Sequence, residues 1–388
     1  MSSKPIYSFH NTHYIDWYLL SSNEAAIDLI EQEIYNNIDS VWLYWEILSI
    51  NSNAVDLIKR YPNKIDWSVL CYNTSSKAID LIRDKVSTDF NSVYINWELI
   101  FRRPEAIDLI YKYVENKDFE FCNLQHKYWF SLCINSAAID IITNEYNRDR
   151  HSDKLSWTNI CLNKAAIHII KQEINQQNPK ISWNYLCRNQ NPLIIDIIYE
   201  EYLKNPRSRK VDWYWLSANP AAVKILKEEY QKNQNSDNIN RLHWYNLSSN
   251  SAAIDILKQE YKNNPNSQNI QWGKLCNNSQ AIDIITEEYK NDRNSTKLNW
   301  NVLCLIPEAI NIIQTELNEY PDSNKINWNR LSLNPAAIHL LFPYDYSKMR
   351  DKMHSFQQEL CEYVFSPSRM HSIAKTYNLS LEELQDCY

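Results

Sequence analysis

Apolar positions recur along this chain in a phase set by tryptophan. Trp17, Trp45, Trp67, Trp97, Trp129, Trp157, Trp183, Trp213, Trp244, Trp272, Trp300 and Trp328 stand 22 to 32 residues apart, most often 28. An aliphatic residue follows each one three positions on: ten Leu, plus Ile100 and Ile160. Two positions before each tryptophan the residue is apolar in eleven copies, Lys127 being the exception. Asp, Asn or Ser often stands directly before it, as at Asp16, Asp66, Asn96, Ser156, Asp212 and Asn327. Those side chains accept a hydrogen bond from an orphan N–H at a helix start. The pattern predicts a short helix of about two turns beginning at each tryptophan, with Trp and Leu sharing one face.

A second helix follows in every copy. Six positions after the tryptophan stands Asn in ten copies, with Arg103 and Ile306 as exceptions. Pro follows directly at Pro104, Pro220, Pro307 and Pro335. Asn as cap with Pro at the first helical position is a strong start signal. Copies at Asn73 and Asn189 carry two extra residues there, and Asn191-Pro192 supplies the start in the latter. Ala then precedes Ile or Val in eleven copies, with Ile194 replacing Ala once. Aliphatics two and three positions later, and a further apolar residue such as Tyr146, Tyr202, Tyr230, Tyr261 or Tyr289, complete an amphipathic helix of about three turns. The stretch Val211–Glu229, VDWYWLSANPAAVKILKEE, is one whole block. Between blocks the chain is polar and loop-like, as at 205–210 and 262–267.

Self-similarity at a fixed period identifies a repeat array. The expected architecture is all-α: an α-solenoid of about twelve short-helix/long-helix pairs over 15–341. It is flanked by an N-terminal leader, 1–14, and a C-terminal helical capping unit, 342–388. The tail has its own helical pattern (Phe356, Leu360, Tyr363, Val364) and a capping box at Ser380 and Glu383. Such a unit is expected to cover the apolar end of the array. At about 10 Å per stacked pair, the array would span on the order of 100 Å and curve.

Composition narrows the chemistry. The net charge is −7, which argues against a general nucleic-acid binder. The chain has one glycine, Gly273. Phosphate-cradling loops and nucleophile elbows need glycines where backbone and ligand meet, so those motifs are excluded. No apolar run of membrane-spanning length occurs, and the first residues lack the apolar core of a signal peptide. The expectation is an intracellular protein without cofactor or metal, and its nine cysteines are expected as free thiols.

The block Trp-x-x-Leu-Ser-x-Asn-Pro-x-Ala-Ile, seen at Trp213–Val223 and Trp328–Ile338, resembles a repeat of uncharacterised proteins from large (giant) DNA viruses. The tail segment YVFSPSRM, Tyr363–Met370, resembles the ends of such proteins. The resemblance covers nearly the whole chain. It implies a viral protein acting in the host cytoplasm of an infected cell or packaged in the virion, and it brings no activity. More distantly, the short-helix/long-helix unit is similar to ankyrin and leucine-rich-variant repeats, although no Thr-Pro-Leu-His is present.

Candidate sites follow from what recurs and what varies. Asp follows the β-branched residue in eight copies: Asp28, Asp56, Asp80, Asp108, Asp140, Asp196, Asp255 and Asp283. In a regular array these form an acidic ladder, either a track steering a basic partner segment or a solvated helix face near a helix N-terminus. Lys224, His168, Asn311 and His339 interrupt it. The loop residues Lys204, Arg207, Arg209 and Lys210 form a basic cluster able to touch phosphate, or simply solvated. Within Val211–Glu229 the positions left free by packing are Tyr214, Trp215 and Lys224. Cys71, Cys133, Cys161, Cys187, Cys276 and Cys304 share one position with Ser21, Ser49, Ser217, Ser248 and Ser332, which points to a small buried site rather than thiol chemistry. His10 and His13 lack a second ligand pair for a metal.

No nucleophile–base or carboxylate pair converges in a stacked array, so the expectation is a non-enzymatic scaffold binding a host or viral protein. The alternatives are a structural component of a virion and an RNA-binding helical repeat. The register tryptophans are expected to wedge between repeats. Replacing one, such as Trp213→Ala, is expected to cost on the order of 3–5 kcal/mol in urea unfolding.

Overall fold

The computed structural model describes residues 16–89, 94–116, 125–177, 179–234, 241–321 and 323–341. The leader 1–14, with His10 and His13, and the capping unit 342–388 lie outside the described residues. Among the described residues the fold is all-helical: twenty-four α-helices alternate short and long through twelve repeats, with 3-10 turns and no strand.

Each repeat is built as its residues dictate. The short helices begin at the register residue in eleven repeats, as in Trp67–Leu70, Trp213–Ala218 and Trp244–Ser249, and at His126 in the fifth. Asp16, Asp66 and Asp212 cap theirs through the backbone N–H groups two and three residues on. Most long helices begin with a 3-10 turn, such as Pro220–Ala222, before the α-helix opens at the β-branched residue, as in Val223–Gln234. The two copies with inserted residues omit that turn and run as single helices, Ser76–Thr88 and Pro192–Lys204, capped by Ser75 and Asn191. The shortest repeat has a reduced second helix, Val55–Ile58. The alanine before the β-branched residue is buried in all eleven copies, which lets neighbouring repeats approach closely.

The asparagine six residues after the tryptophan has two functions. Its Oδ1 accepts the N–H two residues on, as from Asn53, Ala137, Ala221 and Ala336, which is the expected cap. Its Nδ2 reaches back into the preceding repeat and donates to two carbonyls there. Asn219 Nδ2 donates to the oxygens of Cys187 and Asn189, both at 2.8 Å. Asn51, Asn73, Asn135, Asn163, Asn189 and Asn334 repeat the arrangement. One of each pair of carbonyls lies at the C-terminal end of a short helix, where carbonyls lack intrahelical donors. Arg103 substitutes with its guanidinium, which donates to the Asn73 oxygen.

The array is closed. Asn23 Nδ2 donates to the oxygens of Ser332 at 2.8 Å and Asn334 at 3.2 Å. The first repeat therefore meets the twelfth through the same bonds that join consecutive repeats. One apolar cluster runs from Trp17, Leu20 and Leu29 to Cys304, Ile313, Leu331 and Leu341. An open array spanning on the order of 100 Å is therefore not what forms. Among the described residues the apolar face of the last repeat is covered by the first. The physical reason is curvature: successive short helices pack closely, whereas long helices meet mainly at their first turns and fan apart. The short helices thus lie on the inner side. With neighbours about 9 Å apart, twelve of them enclose a bore roughly 20–25 Å wide.

The register tryptophans sit at the joints, but only Trp17 and Trp129 are fully buried. The other ten are half-buried. Tyr146, Tyr202, Tyr230, Tyr261 and Tyr289 each lie edge-on to the next repeat's tryptophan, at 5.7–5.9 Å between centroids. Lys210, Lys297 and Lys325 cover the rings of Trp183, Trp272 and Trp300 from the following loop. This partial exposure moves the cost of Trp213→Ala toward the lower end of the expected range.

The first–twelfth joint is the one junction with no covalent link behind it. Asn23→Asp replaces the donating amide with a carboxylate facing two carbonyls. The radius of gyration from small-angle scattering should then rise as the ring opens, whereas Asn163→Asp, inside the array, should lower stability with a smaller change in size.

Candidate functional site

The ring carries three distinct surfaces: the first turns of the long helices outside, the loops after those helices, and the short helices inside. The acidic ladder lies on the first surface. Seven of its eight carboxylates are exposed and Asp28 is half-buried. Five have basic neighbours. Lys227 binds Asp255 at 2.6 Å, and Lys258 binds Asp283 at 2.6 Å. Arg83 donates to Asp80 at 2.5 Å and to Asp108 at 2.8 Å, and Lys77 pairs with Asp56. Arg83 holds the Asp108 carboxyl below its ordinary range, and Lys227 does the same to Asp255. Most of these pairs bridge successive repeats, because the residue three positions after one Asp faces the Asp of the next helix. Asp140 and Asp196 make no ion pair among the described residues. His168, which stands in place of an Asp, meets Thr143 Oγ1 at 2.8 Å. Where the helices fan apart, grooves of about 450 and 300 Å³ open beside the Lys258–Asp283 and Lys227–Asp255 pairs.

The other sequence candidates separate. Lys224 belongs to the outer surface, with its ammonium 4.3 Å from the Tyr199 ring centroid. Lys204 ends the helix Pro192–Lys204, and it and the loop residues Arg207 and Arg209 are exposed. Lys210 folds back over Trp183 and lies 3.6 Å from Glu201. Tyr214 and Trp215 lie on the inner surface, within a row that the sequence reading did not assemble. The Arg188 guanidinium covers Trp215 at 4.3 Å and lies 5.5 Å from the Tyr185 ring. Tyr214 packs edge-on to Trp215 at 4.8 Å and against His243 at 4.6 Å. His243 meets Tyr245 at 6.2 Å, and the Lys274 ammonium covers Tyr245 at 4.6 Å. The row thus runs unbroken over four repeats. Its signal in sequence was the pair of positions just after the tryptophan, which vary freely between copies and turn aromatic or basic in four successive copies only here.

A second arrangement was also missed: a carboxylate six residues after the β-branched position, buried as Glu33, Glu145, Glu173, Glu229, Glu288 and Glu316 and half-buried as Glu201 and Glu260. Tyrosines of the preceding repeat donate to it: Tyr146 to Glu173, Tyr202 to Glu229, Tyr261 to Glu288 and Tyr289 to Glu316, at 2.9–3.1 Å. A serine seven residues on donates as well, as from Ser295 to Glu288 and Ser323 to Glu316, both at 2.6 Å. Arg150 and Arg293 add forked contacts to Glu173 and Glu316. Burial would raise these carboxyls, but the donors prevail. Glu145, Glu173 and Glu288 are held below the ordinary value of 4.5, and Glu316 is lowered to about 2. Burial and the facing carboxylates push the Tyr261 and Tyr289 hydroxyls up to about 12. From Glu145 to Glu316 the network ties the ends of long helices to their loops and neighbours, so its role is in holding that part of the ring together.

The six cysteines that share one repeat position are buried and unpaired. Burial raises Cys133 and Cys161 to about 11 and Cys187 to about 12, so their reactive thiolates are suppressed. The serines at the same position show why it is small and polar. Ser49 and Ser248 donate to the carbonyl of their own tryptophan and accept the N–H of Asp66 and Gln271 in the next repeat.

Compared with known proteins, the chain matches no family model, no curated protein and no solved structure.

Carboxyls lowered on folding stabilise the native state fully above their unfolded value and lose that contribution as pH falls through the folded one. Urea midpoints should therefore fall steeply from about pH 4.5 toward pH 2, where Glu316 protonates. The raised tyrosines act with the opposite sign, and stability should fall again from the ordinary tyrosine value of 10 to about 12.

Proposed function

We propose that this protein is a non-enzymatic interaction scaffold that engages a protein partner on an extended repeat surface. The observation that carries this reading is a division of labour between residues. Those that recur in the copies (Trp, Leu, Asn, Ala, Ile and the buried Glu) are used in joining repeats. Those that vary lie outward on the helices, where they form surface patterns that cross several repeats. Repeat arrays present this kind of continuous contact area. Cysteine chemistry has no foothold in the buried thiols. The local ion pairing of the acidic ladder weakens its field and makes it a poorer recruiting track than its eight carboxylates suggested. The resemblance in sequence to repeat proteins of large DNA viruses makes an infected cell the setting in which to look, with a host or viral protein as partner.

The test is affinity capture of the tagged chain from infected cells, followed by reconstitution with purified components. A protein that binds saturably when purified, and at comparable strength across moderate salt, supports the scaffold reading. Recovery of RNA with a steep loss of binding as salt rises would point to nucleic acid instead. Abundance in purified particles without a saturable partner would favour a structural role in the virion.

A further inference from the structure

We infer that the inner row around Tyr214, Trp215 and Tyr245 is the docking site, and that its occupant is an acidic, extended segment of a partner protein. This rests on the scaffold reading above and assigns the surface and the chemistry of what it takes. Three independent features of the row lead there.

The first is charge. The chain carries −7 overall. Yet the four short helices that present the row, Trp183–Leu186, Trp213–Ala218, Trp244–Ser249 and Trp272–Leu275, contain no Asp or Glu. Arg188 and Lys274 bracket the row, and the one carboxylate beside it, Asp212, is engaged in capping its helix. Of the twelve short helices only Trp45–Ile50 and Trp97–Phe101 carry an acidic residue, Glu46 and Glu98, so what sets this sector apart is its pairing of cations with aromatic rings. A local cationic surface on an acidic molecule selects an anionic partner segment.

The second is the aromatic surface. Tyr214 and Tyr245 are 45% and 49% exposed, although tyrosine gains by burying its ring. Edge-on rings covered by cations leave polar tips and ring edges free, which is how Tyr, Trp and Arg act as anchors in interfaces.

The third is the single glycine. Gly273 occupies the position held by Tyr214 and Tyr245 in the two preceding repeats, beside Lys274. It lies within a helix, and a β-carbon added there would meet nothing within 4 Å. Neither backbone conformation nor packing calls for glycine, and a glycine inside a helix weakens it. Its effect is to leave the wall open next to Tyr245, where a side chain would intrude on a bound segment.

The row crosses four repeats, so at about 9 Å per repeat it is roughly 30 Å long. An extended segment of about nine residues would cover it. A long polyanion such as nucleic acid is disfavoured, because two cations neutralise few phosphates and the rest of the chain is acidic.

The experiment uses the full chain, with a fluorescent random Glu/Tyr copolymer as probe and a poly-dT oligonucleotide as competitor, read by anisotropy. The copolymer should bind saturably. The paired reversal R188E/K274E and the filled variant Gly273→Glu should each weaken binding tenfold or more. Arg188 is exposed, Lys274 half-buried and Gly273 faces open space; each variant should keep the parent's melting temperature, or raise it for Gly273→Glu, so loss of binding at an unchanged melting temperature would not reflect unfolding. Copolymer binding that neither variant alters, or no binding at all, overturns the proposal, as does poly-dT binding at least as tight and lost in the same variants. If a protein partner found by capture binds these variants as well as the parent, the scaffold reading stands and only this surface assignment fails.

Discussion

The ring depends above all on the carboxamide of one asparagine, present in ten of its twelve repeats. A short helix ends with carbonyls that have no donor, and a long helix begins with N–H groups that have no acceptor. In a chain of paired helices these orphan groups fall close together at each joint. Asn satisfies both sets at once, because its oxygen caps its own long helix while its nitrogen serves the preceding repeat. The fixed amide geometry also sets the distance and angle between successive repeats. These bonds recur at most joints, and the rotations they accompany sum over twelve repeats to bring Asn23 onto Ser332 and Asn334. Closure thus rests on a local hydrogen-bond pattern propagated around the ring.

Around that inner line of amides the structure divides its polar groups by depth. Buried carboxylates accept from tyrosine, serine and arginine, and those donors lower their proton affinity. Exposed carboxylates on the long helices pair with lysine or arginine across the joint. The two sets differ in consequence. A buried carboxylate left without its donors would destabilise the fold strongly, while a surface ion pair contributes at most about 1 kcal/mol. The outer acidic ladder therefore reflects spacing within the repeat more than selection for a highly charged track. The inner aromatic row departs from what spacing alone would give.

The functional reading follows this departure. Ring architecture hides both apolar ends of the repeat region and leaves an inner and an outer wall. On the outer wall five of the eight ladder carboxylates are neutralised by basic neighbours. On the inner wall, one sector sets aromatic rings between two cations and contains the chain's single glycine. A partner segment lying along the inner wall, across successive repeats, would meet that sector along its length.

By itself the sequence determined the repeat unit. Trp, Leu, Ala and the β-branched residue are spaced at helical period, and Asp or Asn precede them as caps, so element type, order and most boundaries were legible. It also contained a clue that the cap does more: the position is Asn in ten copies and never Asp, Ser or Thr, although each of those would cap equally well. Only a residue that must also donate excludes them. Tertiary structure alone decided the rest. Closure depends on the sum of twelve small rotations, which no local pattern encodes. The pairing of the acidic ladder depends on how far neighbouring helices fan apart. Tyr185, Arg188, His243 and Lys274 joined Tyr214 and Trp215 because residues about 30 apart in the chain are neighbours on the inner wall. Lys224, only ten residues from Tyr214, faces outward because it lies on the other helix of the repeat.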